Sequence, residues 1–317
     1  MDCMGRILCT LVVTSGLLAT PSAQQAPVFR SGSDNVSVFV TVADKSGRLV
    51  PNLTRADFEV RDNGKPQALT VFDNTPQPIR LIVLIDISGS MTSNVPLLRA
   101  AGAALVQNLG PNDLAKIGTF GNQIELGPTF TRNAQELFAS LPANVEPNQR
   151  TPLWKAIDQA ITDLGQTEGR RVVLVMSDSK DSGPTGFNQK WVMQPDIDER
   201  ATREDVMIYG VGVRSSLSPQ GGLGSGGMMA AMTATLPDPG LGKVAEDSGG
   251  GYFELRPRSD LSQVFAQVMD ELHHQYLLGF SPPARDGKEH KIEVKIAGKD
   301  MKVRARKAYR APAATKG

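Results

Sequence analysis

Leu81-Ile82-Val83-Leu84-Ile85-Asp86-Ile87-Ser88-Gly89-Ser90 is the stretch on which the fold of this chain turns. Its unbroken apolar run demands burial on both faces, the mark of a strand inside a parallel sheet. The run then gives way to a carboxylate and two hydroxyls. A sharp turn at the end of a buried strand therefore presents oxygen atoms only, the donor set that suits a hard divalent cation. Dinucleotide-binding folds place glycines at this point so that backbone amides meet phosphate. Here Asp86, Ser88 and Ser90 stand in their place. No nucleophile paired with a base accompanies them, so the turn points to binding before catalysis.

Working outward, two further near-continuous apolar runs occur at Val172–Met176 and Val206–Val213. Helix-like spacing separates the runs, over Val95–Leu109 and Leu153–Leu164. Asp113–Gly121 and Gln123–Phe130 read as a strand pair around Gly121-Asn122. Leu241–Asp247 reads as a short helix, Tyr252–Leu255 as a last strand, and Ser259–His273 as an amphipathic helix. Strands alternating with helices over residues 80–273 predict a doubly wound α/β domain with a mostly parallel sheet. Residues 215–242, rich in Gly, Ser, Met and Pro, read as a flexible insert in it.

Both flanks carry β pattern instead. Val36, Val38, Val40 and Val42 alternate along one strand face. Asn63-Gly64 lies between Phe58–Arg61 and Ala68–Phe72, a hairpin signal. Pro76 and Pro78 mark a linker after this N-terminal segment, residues 33–75. In the C-terminal segment, residues 276–311, Ile292, Val294 and Ile296 alternate with charged residues, as do Met301, Val303 and Ala305. Ala297–Asp300 reads as the hairpin turn between them. The expected class is α/β, with a small antiparallel β module built from the two ends; whether the ends pair with each other stays open.

Composition sets further bounds. The chain has 317 residues, 40% hydrophobic and 21% charged, with a formal net charge of +1. That balance gives no global field for nucleic acid. Residues 1–23 read as a signal peptide: Arg6, the apolar stretch Ile7–Ala19, and Pro21-Ser22-Ala23 at the cleavage point. The apolar stretch is short for a bilayer span, so no membrane span is expected after cleavage. Both cysteines, Cys3 and Cys9, fall inside residues 1–23. An exported chain without disulfides must rely on its core.

Two more oxygen donors have the right context. Thr151 stands just before the helix at Leu153, and Asp178 ends the run that begins at Val172. Both belong to loops at the carboxyl end of the sheet, where open α/β folds bind ligands. With Asp86, Ser88, Ser90, Thr151 and Asp178 in that order, the chain resembles the von Willebrand factor type A family with its metal-ion-dependent adhesion site, over roughly Arg80 to His273. In that family the serines and the threonine contact Mg2+ or Mn2+ and the aspartates act mostly through water. The resemblance implies an exported, non-enzymatic adhesion module in which the metal takes an Asp or Glu carboxylate from a partner protein. Val40–Gly47, Leu53–Val60 and Tyr276–Pro282 resemble the flanks of acidobacterial members. One departure is Ser179-Lys180, where the family usually has Gly and an acid; Lys180 brings a positive charge near the site, which either weakens metal binding or favours an acidic ligand.

Two other functions compete. A metal-stabilised scaffold would use the β module as its contact surface. A metal-dependent hydrolase would need a base, for which Asp181 is the nearby candidate. His273, His274 and His290 lack the convergence of a zinc site. Lys302, Arg304 and Arg306 read as the solvated face of an edge strand, and Trp154 and Trp191 as packing residues.

Overall fold

The computed structural model describes residues 35–88, 91, 95–140, 150–178, 180–183, 191–213, 238–255, 260–298 and 300–314. The expected signal peptide, Gly89, Ser90 and most of the Gly/Met-rich insert lie outside them.

A six-stranded sheet forms the centre. Its strands are β5 (Ile79–Asp86), β6 (Leu114–Phe120), β7 (Ile124–Leu126), β8 (Arg170–Ser177), β9 (Val206–Val213) and β10 (Tyr252–Leu255). They lie in the order β10-β9-β8-β5-β6-β7, all pairs parallel except β6 with β7. Side chains alternate between two cores. Leu81, Val83 and Ile85 face one core with Val172, Leu174 and Met176; Ile82 and Leu84 face the other with Val173 and Val175. This double burial is why the strands read as continuous apolar runs. The first core holds α1 (Val95–Asn108) and α6 (Leu261–His273), with Leu105, Phe265 and Val268 inside it. The second holds α3 (Leu153–Leu164), α4 (Gln194–Glu204) and α5 (Pro239–Asp247), with Ile157, Ile197 and Val244. A short helix, α2 (Ala134–Ala139), adds Leu137 to the first core. The sheet is doubly wound, as expected.

The two ends do pair. β1 (Val36–Ala43) lies between β11 (Tyr276–Phe280) and β13 (Lys302–Ala305), with β4 (Leu69–Asp73) outside β11. A second antiparallel sheet has the order β14-β12-β2-β3, from Ala308–Arg310, Glu289–Ile296, Phe58–Asp62 and Lys65–Gln67. Val38, Val40, Val60, Leu278, Phe280, Ile292 and Tyr309 fill the space between the two sheets.

Several local expectations need correction. The Asn63-Gly64 turn is a hairpin with both residues at positive φ, 47° and 80°, as a type I′ turn requires. Its second arm is β3, while Ala68–Phe72 belongs largely to β4 in the other sheet. Ala297–Asp300 is not a hairpin: β12 and β13 belong to different sheets. α5 starts at Pro239, capped by the Asp238 carboxylate, which accepts from the Gly240 amide at 2.8 Å. The insert therefore stops short of 242. Trp191 is 56% exposed and is no core residue, whereas Trp154 is buried.

The basic stripe is solvated only in part: Lys302 is exposed on edge strand β13, but the two arginines are engaged by the fold. Arg304 pairs with Glu271 of α6, and Arg306 with Asp205 at 2.8 Å and with the Ser37 carbonyl. Lys307 reaches Glu246 at 2.8 Å and Asp247 at 2.9 Å. Buried Arg170 donates to the Leu272 carbonyl at 2.7 Å and to Gln275, which in turn donates to Thr41 of β1. These contacts tie the β module to the α/β domain. Among the described residues no helix is long and apolar enough to cross a membrane.

Candidate functional site

Strand order reverses at β5, because the chain goes from β5 to β6 on one side and returns to β8 on the other. The crevice at the carboxyl ends of β5 and β8 is thus the topological switch point, the standard ligand position of open α/β sheets. Asp86 ends β5, Ser177 ends β8, and Asp178 follows it.

All the described candidates there are buried: Asp86 at 0% exposure, Ser88 at 3%, Thr151 at 3% and Asp178 at 1%. Asp86 Oδ1 accepts the Ser88 amide at 2.8 Å, which shapes the turn, and Oδ2 accepts the Ser177 hydroxyl. Burial pushes the Asp86 carboxyl up to about 6; the bonds from Ser177 and Ser88 oppose that rise, and the nearby Asp178 carboxylate adds to it.

Thr151 arrives from the opposite loop. Its amide donates to Ser182 Oγ at 2.9 Å, and its carbonyl accepts the Ser182 amide at 2.9 Å. Ser182 lies in the loop that leaves β8 through Asp178, so Thr151 is fastened to the Asp178 loop by two bonds. Arg150 strengthens the tie by donating to the Ser182 carbonyl at 2.7 Å. Ser177 and Ser182 were not singled out from sequence. Their only signal is a hydroxyl beside Asp178 on either side of a loop, which is common in any chain.

Asp181 serves the backbone. Oδ2 accepts the Gly183 amide at 2.8 Å and Oδ1 the Trp154 amide at 3.4 Å, in the first turn of α3. α3 has Pro152 at its N-cap and no side-chain cap of its own, so Asp181 supplies the missing acceptor. Burial raises its carboxyl, against the pull of those amides. Lys180 is exposed beside it.

Elsewhere, His273 bonds Asp113 at 2.7 Å and His290 bonds Asp62 at 2.8 Å, each within the fold. Among the described residues no group of three or more His, Cys, Asp or Glu could hold a metal. The donors at the crevice are of another kind, two carboxylates supplemented by neutral hydroxyls. That all-oxygen set fits a hard cation such as Mg2+ or Mn2+ and suits zinc poorly.

A twisted parallel sheet with oxygen donors at its switch point defines a class of ligand-binding α/β domain. Residues 81–180 match the family described as the von Willebrand factor type A domain, and the chain carries such a domain. No curated protein matches the chain. Among solved structures, a von Willebrand factor type A protein from Catenulispora acidiphila is similar at 12% identity and a TM-score of 0.47, over 91% of this chain and 76% of that one. An aerotolerance-related membrane protein from Bacteroides fragilis is 12% identical with a TM-score of 0.44, over 61% of this chain and 99% of that one. The von Willebrand factor domain of a type V pili tip protein from Porphyromonas gingivalis is 11% identical with a TM-score of 0.39, over 62% and 95%.

Proposed function

We propose that this chain is an exported, non-enzymatic binding module. It holds Mg2+ or Mn2+ at Asp86, Ser88, Ser90, Thr151 and Asp178 and through it takes an Asp or Glu carboxylate of a partner protein. What supports this reading is that Asp86, Ser88, Thr151 and Asp178 are all nearly inaccessible, that Asp86 and Asp178 lie at the ends of neighbouring strands at the switch point with Ser88 bonded to Asp86, and that Thr151 is bonded to the loop after Asp178. A cation there supplies a positive charge that neutral hydroxyls do not cancel, which is what a carboxylate seeks. The chain's own residues prepare the place. Ser88 and Ser177 orient the Asp86 carboxylate, and Ser182 fixes Thr151.

A catalytic role finds little support, because the candidate base, Asp181, already accepts amides with both oxygens. The scaffold reading has one observation behind it, the ion pairs that lock the β module to the α/β domain. It predicts that metal changes stability and nothing else.

Peptide display on the immobilised protein separates these readings. In Mg2+, selected clones should carry Asp or Glu, release in EDTA, and fail to enrich on Asp86→Ala. Clones that lack acids or ignore EDTA would refute the carboxylate role.

A further inference from the structure

Trp191 and Met193 are large hydrophobic side chains that folding leaves in solvent, at 56% and 48% exposure. Between them Val192 packs against the core that contains Trp154 and Ile157. Met193 has extended backbone, φ −115° and ψ 165°, so its side chain points away from that of the core-anchored Val192. Met193 is then held as the N-cap of α4, its amide donating to Asp196 at 2.8 Å. Val192 and the first turn of α4 thus place Met193.

This outward pair adjoins the oxygen-donor crevice. The Trp191 ring lies against Gly183, where an added Cβ would sit 3.7 Å from it. The Gly183 carbonyl accepts from Arg150 at 3.4 Å, and the preceding residue, Ser182, holds Thr151. Gly183 itself has φ +69°, a conformation that favours glycine. The rim also carries exposed Lys180. The nearby acids are engaged inward: Asp181 accepts the Gly183 and Trp154 amides, and Asp238 accepts those of Gly240 and Asp181. The rim thus turns the charge of Lys180 outward, and the exposed Asp196 carboxylate beside Met193 accepts the Met193 amide.

We infer that Trp191, Met193 and Lys180 form a recognition platform beside the crevice for an acidic peptide segment with apolar side chains between its acids. The inference rests on the metal reading above and adds the partner's character to it. One acid of the segment belongs at the crevice and another opposite Lys180. An intervening apolar side chain covers Trp191, the residue type that dominates binding hot spots. Charge complementarity selects the acids, and the exposed ring selects their apolar neighbours over polar ones.

The test uses the full chain and three labelled, end-capped hexapeptides: alternating Asp-Leu, alternating Asp-Ser and alternating Lys-Leu. Fluorescence polarisation in Mg2+ reads peptide binding, and Mn2+ electron paramagnetic resonance reads metal binding separately. Asp-Leu should bind at least tenfold more tightly than the other two and move the Trp191 emission to shorter wavelength. Trp191→Ala should weaken it about tenfold and Lys180→Glu about fivefold, with Mn2+ affinity unchanged in Trp191→Ala. Asp-Leu and Asp-Ser binding alike, or a Trp191→Ala protein that binds as the parent does while Mn2+ is held, would overturn the platform alone. A parent protein that holds no Mn2+ would overturn the metal reading and the platform with it.

Discussion

Removing the Glu271 carboxylate should weaken the whole molecule, because that group sits where the two structural units meet. Glu271 lies on α6 with its side chain 8% exposed, and its partner Arg304 lies on β13 with its side chain 30% exposed. Tyr209 adds a bond to Glu271 at 3.5 Å, and Arg304 lies 5.8 Å from the Tyr209 ring centre. Burial raises the Glu271 carboxyl, while Arg304 pulls it down. The pair thus adds little net stability, yet losing one member strands the other. Breaking a fully buried pair costs about 3–5 kcal/mol. Arg304 keeps roughly a third of its exposure and solvent offsets part of its charge, so Glu271→Ala should cost about 2–3 kcal/mol. Glu271→Gln, which keeps an acceptor for Arg304, should cost roughly half as much. Urea unfolding followed by near-UV circular dichroism measures both. Adding Arg304→Ala to Glu271→Ala should cost less than the two single changes together, since the second removes the stranded cation. A Glu271→Ala loss under about 0.5 kcal/mol, or simple additivity, would refute the claim that this pair clamps the units.

Two other expectations concern the flanks. Burial disfavours the charged His290 ring, but its bonds to Asp62 and Asp286 outweigh that, so its pKa is raised. A cation favoured in the folded state stabilises below the ordinary histidine value of about 6.5, and that contribution is lost as pH rises through the folded value. Thermal melts should therefore show the β module weakening upward from about pH 6.5, and His290→Gln should flatten this limb; a parent protein whose melting point is level there contradicts the assignment. Gly250 precedes β10, and a Cβ there would sit 1.9 Å from the Ile208 carbonyl oxygen. Gly250→Ala must shift backbone and should cost at least about 2 kcal/mol by chemical denaturation; a cost near zero would mean β10 can move freely away from β9.

The central sheet was legible because burial on both faces writes itself as unbroken apolar runs, as at Leu81–Ile85 and Val172–Met176. The candidate donors were legible for a related reason: Asp86 and Asp178 each end such a run, and a charge there has no packing explanation. Pairing at the flanks was not. Alternation marks Ile292 and Val303 as strand residues, but a short connection cannot tell a hairpin from a crossing between sheets. The partners of Arg304 and Arg306 lie on α6 and just before β9, far away in sequence, so their charges looked like solvent-facing ones. α4 escaped notice because only Ile197 and Ala201 are buried in a helix of otherwise polar residues. Trp191 looked like any packing aromatic, because exposure is a property of the fold.

The metal reading requires a cation between β5 and β8. Crystals soaked in Mn2+ and measured at the manganese edge test this. One strong anomalous peak is expected among Asp86, Ser88, Thr151 and Asp178, absent from Asp86→Ala crystals. No peak there, or one that persists without the Asp86 carboxylate, would contradict the metal reading.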